Sequence, residues 1–387
     1  MPGTHALLSP SSSKRWLSCP PSARLCAKLN DRFGDKSSPY AQEGTLAHSV
    51  AELKLRHLNK EINAFNFKTQ LEALGPLPRD MDAATDNYVD VVMERYYEAK
   101  RSCPDAQLLV EQKLNMDDWV PRCHGTSDAV IVSDDVLIVI DLKYGTGVPV
   151  SAIENPQARI YGLGGVAAYG DLYDFHSVQT VIVQPRLDSV TSETLNLEAL
   201  LEWGDSIKPT AKDAWEGRGE FKTGDHCRFC SARAICSARA AEAMSIFHYG
   251  FDEPGTIADE DIPGILDVLP TAESWIKDIR EYALNQAKLG QPFNGYKLVH
   301  GRRPGRKWKR EQDVIDILAR AGYTEEQYAQ QGLKSVAEIE KILGRQAFDA
   351  LLGNCITQGD GALTLVRAED TRVEYTPAEA ALSDLLN

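Results

Sequence analysis

Gly125-Thr126-Ser127-Asp128-Ala129-Val130-Ile131-Val132, a turn at Asp134-Asp135, and then Val136-Leu137-Ile138-Val139-Ile140-Asp141-Leu142-Lys143 form the stretch whose reading decides the fold. Val136–Ile140 is continuously apolar and mostly β-branched, which predicts a strand buried on both faces and paired in a hairpin with the run before it. Alternation then places Asp141 and Lys143 on one face with Leu142 opposite, and the neighbouring strand can bring Asp128 to the same face. Two ionised carboxylates about 4 Å apart repel by roughly 4 kcal/mol at an effective dielectric near 20, so they need compensating cations. Lys143 supplies one positive charge. A divalent ion supplies the remainder, and oxygen ligands with room for water suit magnesium or manganese better than zinc. For the three residues alone, a plain Asp141–Lys143 salt bridge at a strand end is the simpler account.

Downstream, Asn155-Pro156-Gln157-Ala158-Arg159-Ile160-Tyr161 opens a helix predicted over Pro156–Tyr169, with Asn155 as cap and Pro156 at the first helical position. Gln157 and Tyr161, four apart, share a face that can look onto the same pocket. Strands follow at Ser177–Pro185 and Asp188–Leu197, then a helix over Leu197–Trp215. Upstream, helical patterns cover Gln42–Leu58, which carries His48 and Glu52, and Asp80–Arg101. Gln107–Leu114 reads as a strand holding Glu111, which either joins the carboxylate cluster or pairs with Lys113 at a sheet edge. Helices, three strands, helix, two strands, helix is the order of an α/β protein. It predicts a restriction-endonuclease-like mixed sheet flanked by helices, followed by an α-rich C-terminal domain.

The chain of 387 residues carries a net charge of -14, which argues against sequence-blind wrapping of nucleic acid by a uniformly basic surface. It leaves room for a local basic track. No uninterrupted apolar run approaches the roughly 18 to 20 residues of a membrane span, and Met1–Pro10 lacks an apolar signal core, so a soluble, cytoplasmic protein is expected. Of the eight cysteines, three cluster as Cys227-x2-Cys230-x5-Cys236. Three thiolates at this spacing can cap one metal centre, with a fourth ligand from elsewhere. A zinc site completed by His226 or Cys26 is one possibility.

The expected domains are residues 1–245, a linker at 246–261, and an α-rich region at 262–387 that ends in a polar tail from Arg367. Within the last region, Arg302, Arg303, Arg306, Lys307, Lys309 and Arg310 surround Trp308. In an otherwise acidic chain this is the best candidate DNA-backbone contact, with Trp308 available to stack on a base.

Asp128, Asp141-x-Lys143 and Gln157-x3-Tyr161 together resemble the PD-(D/E)XK nuclease superfamily, specifically its RecB-like exonuclease branch. There a glycine-containing turn precedes the first aspartate, as Gly125 does here. The superfamily's leading proline is absent before Asp128. The resemblance implies that His48, Asp128 and Asp141 hold Mg2+ or Mn2+, with the Leu142 carbonyl and Glu111 as further ligands and Glu52 orienting His48. It also implies that Lys143 positions and helps deprotonate the attacking water, and that Gln157 and Tyr161 orient the scissile phosphate or the lysine. As in the CRISPR-associated and AddB-type nucleases, one cysteine before the nuclease core, Cys19, would join Cys227, Cys230 and Cys236 around a structural [4Fe-4S] cluster. Closing that loop of 208 residues (227 minus 19) costs on the order of 5 kcal/mol of chain entropy, which metal–thiolate bonding offsets.

The resemblance is specific over residues 9 to 240 and diffuse beyond, and points to an uncharacterised phage and prophage branch. It implies a Mg/Mn-dependent DNA exonuclease acting on DNA with a free end in phage recombination or replication, alongside phage recombination or replication proteins in the host cytoplasm. The alternatives are a structure-specific endonuclease, or an inactive nucleic-acid-binding or assembly module with structural zinc.

Overall fold

The computed structural model describes residues 6–33, 39–248, 257–329 and 332–377. Residues 249–256 of the expected linker region and the last ten of the expected tail lie outside them. Two compact units, Met1–Ala272 and Glu273–Asn387, divide the chain.

In the first unit a one-turn helical entry, Pro10–Ser12, leads into α1 (Ser13–Ser18), α2 (Ser22–Phe33), α3 (Pro39–Leu58), α4 (Ala64–Ala73) and α5 (Met81–Ser102). Then come β1 (Gln107–Asn115), β2 (His124–Val132), β3 (Asp135–Leu142), α6 (Pro156–Tyr169), β4 (Phe175–Gln184), β5 (Ser189–Asn196), α7 (Leu197–Glu216) and α8 (Ser237–Met244). The five strands form one mixed sheet in sequence order: β3 pairs with β2 antiparallel and with β4 parallel, while β1–β2 and β4–β5 are antiparallel. This is the mixed α/β sheet with flanking helices that the sequence predicts. β3 is central, and from Leu137 to Leu142 every residue is buried. Leu137 and Val139 pack in one apolar core with Ile160 and Leu163 of α6 and Leu200 of α7. Ile138, Ile140 and Leu142 pack in another with Leu55 of α3 and Val89 and Val92 of α5. The period-two alternation along one strand thus feeds two layers of helices.

Three glycines let α6 lie close against its neighbours. A Cβ on Gly164 would stand 2.6 Å from Met116 Sδ, one on Gly165 2.7 Å from a Leu137 methyl, and one on Gly162 3.1 Å from Val178. The helix is also clamped at its first turn. Asn155 Oδ1 accepts from the N–H of Gln157 and Ala158, and Arg159 makes a bidentate pair with Glu193 of β5 at 2.6 and 2.8 Å.

The second unit takes in most of α9 (Ile262–Lys288), then β6 (Tyr296–His300), β7 (Lys307–Trp308), α10 (Glu311–Arg320), α11 (Glu325–Tyr328), α12 (Val336–Leu343), α13 (Arg345–Leu352), β8 (Ile356–Thr357) and β9 (Leu363–Arg367). It is α-rich, with two small antiparallel ladders, β6–β9 and β7–β8. The expectation of a polar tail from Arg367 needs correcting. Arg367 ends β9, Tyr375 N–H donates to Leu298 O at 2.7 Å, and the Tyr375 ring meets His300 edge-on. Alternating Leu363 and Leu365 face the β6 residues, a pattern too short to stand out from a loop.

Candidate active site and cysteine centre

The β2–β3 ladder ends at Ala129↔Ile140, and a carboxylate takes over where backbone pairing stops. The Leu142 N–H donates to Asp128 Oδ2 at 2.7 Å, while Asp128 Oδ1 lies 2.9 Å from His48 Nδ1. Leu142 thus also serves the site through its N–H, which anchors Asp128. Across the sheet, β1 pairs with β2 on either side of Glu111 and Asp128, and Glu111 itself has φ of 51°. A non-glycine residue held in the left-handed region within a strand is strained, and here the strain sets two carboxylates opposite one another. His48, Glu111 and Asp128 offer ligand atoms all within 4.8 Å of one another.

A second network leans on the first from α6. Lys143 Nζ lies 2.8 Å from Asp141 Oδ2 and donates to Gln157 Oε1 at 3.0 Å, while Gln157 Nε2 donates to Asp141 Oδ1 at 2.7 Å. Gln157 thus holds aspartate and lysine together. Tyr161 lies apart from this network. Its hydroxyl stands 2.9 Å from where a Cβ on Gly125 would be, so the glycine ahead of Asp128 makes room for the tyrosine ring.

Electrostatically the cluster is crowded with negative charge. Burial and the neighbouring Asp128 carboxylate push Glu111 up to about 7. Burial pulls His48 down, but the Asp128 carboxylate outweighs it and raises the imidazole to about 9. Burial raises Asp141 despite the pull of Lys143. Three carboxylates thus face two cations, an imidazolium and an ammonium. Asp141 Oδ2 is buried and has the Lys143 ammonium 2.8 Å away as its ion-pair partner. A buried carboxylate beside a His/Glu/Asp trio is the donor set a hard divalent cation fits. Glu52 does not orient His48; it pairs with Arg56 one turn along α3 at 2.9 Å.

Sequence reasoning missed Gln184, which is buried at the end of β4. Its amide donates to Gly145 O and Val148 O and accepts from Val150 N–H, pinning the loop that follows Lys143. A lone glutamine closing an apolar strand before Pro185 was the available signal.

The cysteines converge where α1 and α2 pack on α7 and α1 packs on the segment around Cys227. Lys222 N–H points at Cys19 Sγ (3.5 Å), Cys26 Sγ lies 3.5 Å from Cys230 Sγ, and Cys227 feels the charge of both Cys236 and Cys19. Cys26, ranked below Cys19 from sequence, is therefore beside the centre as well. The short contact between the two sulphurs lets them share one proton, which pulls one thiol down and drives the other up. Arg15 lies near Cys26 and Cys230, and buried Arg239 near Cys227, and these cations oppose the burial that raises the Cys227 and Cys230 thiols. Among the described residues no three of these sulphurs lie within 4.8 Å of one another. A tetrahedral zinc with bonds of about 2.3 Å would hold its sulphurs about 3.8 Å apart.

In the second unit the basic run lines a cavity of about 620 Å³ with Arg302, Arg303, Arg306, Ser335 and Gln358 on its walls. Several expected contacts are used internally. Arg306 pairs with Glu340, Arg303 with Asp360 at 3.4 Å, and Lys309 Nζ donates to Asn354 O at 2.9 Å. Trp308 corrects the expectation of a free stacking ring: its indole N–H donates to Lys334 O at 3.0 Å and its ring packs on Phe348 in the apolar core. Arg302, Lys307 and Arg310 carry no ion pair among the described residues.

Fold and site together define a mixed-sheet α/β protein with a polar cluster of hard metal-ligand type where its central strands open. The chain belongs to the family described as "Protein of unknown function (DUF2800)", whose model matches residues 5–373. Among solved structures it is similar to a "Putative exonuclease" from Eubacterium rectale, at 15% identity over 65% of this chain and 91% of that one, with a TM-score of 0.31. It is also similar to the crystal structure of SSO0001, at 17% identity over 55% of this chain and 93% of that one, with a TM-score of 0.22. Neither superposition is close enough to carry a functional argument. No helix among the described residues is long and apolar enough to cross a membrane.

Proposed function

We propose that this protein is a metal-dependent deoxyribonuclease of the RecB-like PD-(D/E)XK type, an exonuclease that hydrolyses DNA phosphodiesters from a free end in phage recombination or replication. The observation that carries the reading is the meeting of His48, Glu111 and Asp128 beside the linked trio Asp141, Lys143 and Gln157. His48, Asp128, Asp141 and Glu111, with the Leu142 carbonyl, would hold Mg2+ or Mn2+. When bound, such an ion neutralises phosphate charge and lowers the pKa of a coordinated water. Lys143, oriented by Gln157, positions the water and steadies charge growing on the phosphate. Tyr161 acts at one remove by packing on Gly125 of β2, the strand that presents Asp128. Arg302, Lys307 and Arg310 are the side chains best placed for phosphate, since the rest of the basic run is occupied within its own unit.

The cysteine centre supports a [4Fe-4S] cluster held by Cys19, Cys227, Cys230 and Cys236. The support is the gathering of Cys19 with the Cys227-x2-Cys230-x5-Cys236 run, four thiols of the kind such a cluster takes. The role of the cluster is structural.

The test compares wild type with Asp141→Ala on end-labelled linear and circular DNA, each with Mg2+ or Mn2+. Wild type should shorten linear DNA and spare circles, and Asp141→Ala should fall to background with an unchanged circular dichroism spectrum. Manganese-dependent digestion by Asp141→Ala would reject the assignment.

A further inference from the structure

Tyr88 is 1% exposed on α5, yet its hydroxyl has no hydrogen-bond partner. A buried hydroxyl without a partner is destabilising, and phenylalanine would fill the same apolar space without stranding it. The ring packs with Ala51 and Leu55 of α3 and with Ala129 and Leu142 of the strands that flank the site. The hydroxyl lies within the electrostatic reach of Asp128, Asp141 and Glu111 together. It is therefore a donor in an apolar wall, in the field of three carboxylates and hydrogen-bonded to none.

We propose that Tyr88 is a positioning residue for the ion site, donating its hydrogen bond to a water held by a divalent cation at His48, Glu111 and Asp128. The inference rests on the metal reading of that site and extends it to a fifth element of the fold, α5. Partners behind the ligands commonly govern metal affinity by 10- to 100-fold, because they fix the orientation of what the ion holds.

The experiment is a Mn2+ titration followed by electron paramagnetic resonance of the free ion, together with thermal unfolding in chelator. It is run on wild type, Tyr88→Phe and Asp128→Asn, all full length. Tyr88→Phe should bind Mn2+ about 10- to 100-fold more weakly while its metal-free melting temperature is equal to wild type or higher. A plain core tyrosine gives the opposite pattern: unchanged Mn2+ affinity with a raised melting temperature, which overturns the proposal. If wild type and Asp128→Asn titrate identically, the metal reading itself falls and takes this inference with it. If Asp128→Asn loses binding and Tyr88→Phe does not, only the role of Tyr88 falls.

Discussion

The two candidate metal-binding regions are built on opposite principles. The His48–Glu111–Asp128 cluster is set by strand register and helix packing, with each member already held by an internal ion pair, a backbone donor or a strained strand. The cysteine centre draws its thiols from α2, the turn after α1, and the irregular stretch 222–236, joined by few hydrogen bonds. The first should keep its shape without an ion. The second should depend on what it binds.

The sharpest test of that contrast is stability. Cys227→Ser should remove the metal–thiolate bonding that offsets the closure of the long loop, about 5 kcal/mol, and lower the melting temperature by about 10 to 20 °C, with loss of iron by elemental analysis. Asp128→Asn should shift melting far less. Equal shifts in the two variants would erase the distinction.

A smaller effect follows from protons. His48 has a raised folded pKa, so the stability from its pairing with Asp128 is fully present below about 6.5 and is lost as pH climbs through about 9. Glu111 is raised as well; keeping it buried and ionised costs stability as pH rises from about 4.5 through about 7. Both signs agree, so the metal-free protein should melt at lower temperature from pH 6 to pH 9. Since a metal must displace the His48 proton, Mg2+ affinity should climb over pH 7 to 9 by up to about tenfold per unit, less where solvent screens the half-exposed imidazole. Thermal shift with and without Mg2+ reads both. A flat profile would mean that the cluster exchanges no proton for metal. The cysteine centre carries no such expectation from these groups.

The smallest effect concerns how the oxygen site is seated. Gly125→Ala would drive a methyl against Tyr161, costing about 1 to 2 kcal/mol of overpacking, and Tyr161→Ala in the same chain should recover most of it. Chemical denaturation of the double-mutant cycle measures the coupling. Additive costs would separate Gly125 from Tyr161.

Much of this architecture was legible from residue order. The apolar run Val136–Ile140 announced a central strand, Asn155-Pro156 announced the start of α6, and Asp141, Lys143 and Gln157 were placed together by periods of two and nearly four. These are local signals, carried by neighbours in sequence. Tertiary packing decided the rest. That Glu111 meets Asp128 depends on a strand pairing and a left-handed φ; that Cys26 reaches Cys230 depends on contact across 204 residues. Trp308 within a basic run gave no sign that its indole would be drawn into a core by Lys334 and Phe348, and Tyr88 looked like any aromatic on an amphipathic helix. Periodicity reports which way a side chain points from its own element, but not what another element sets against it, and the orphaned hydroxyl and the crowded carboxylates exist only after that second step.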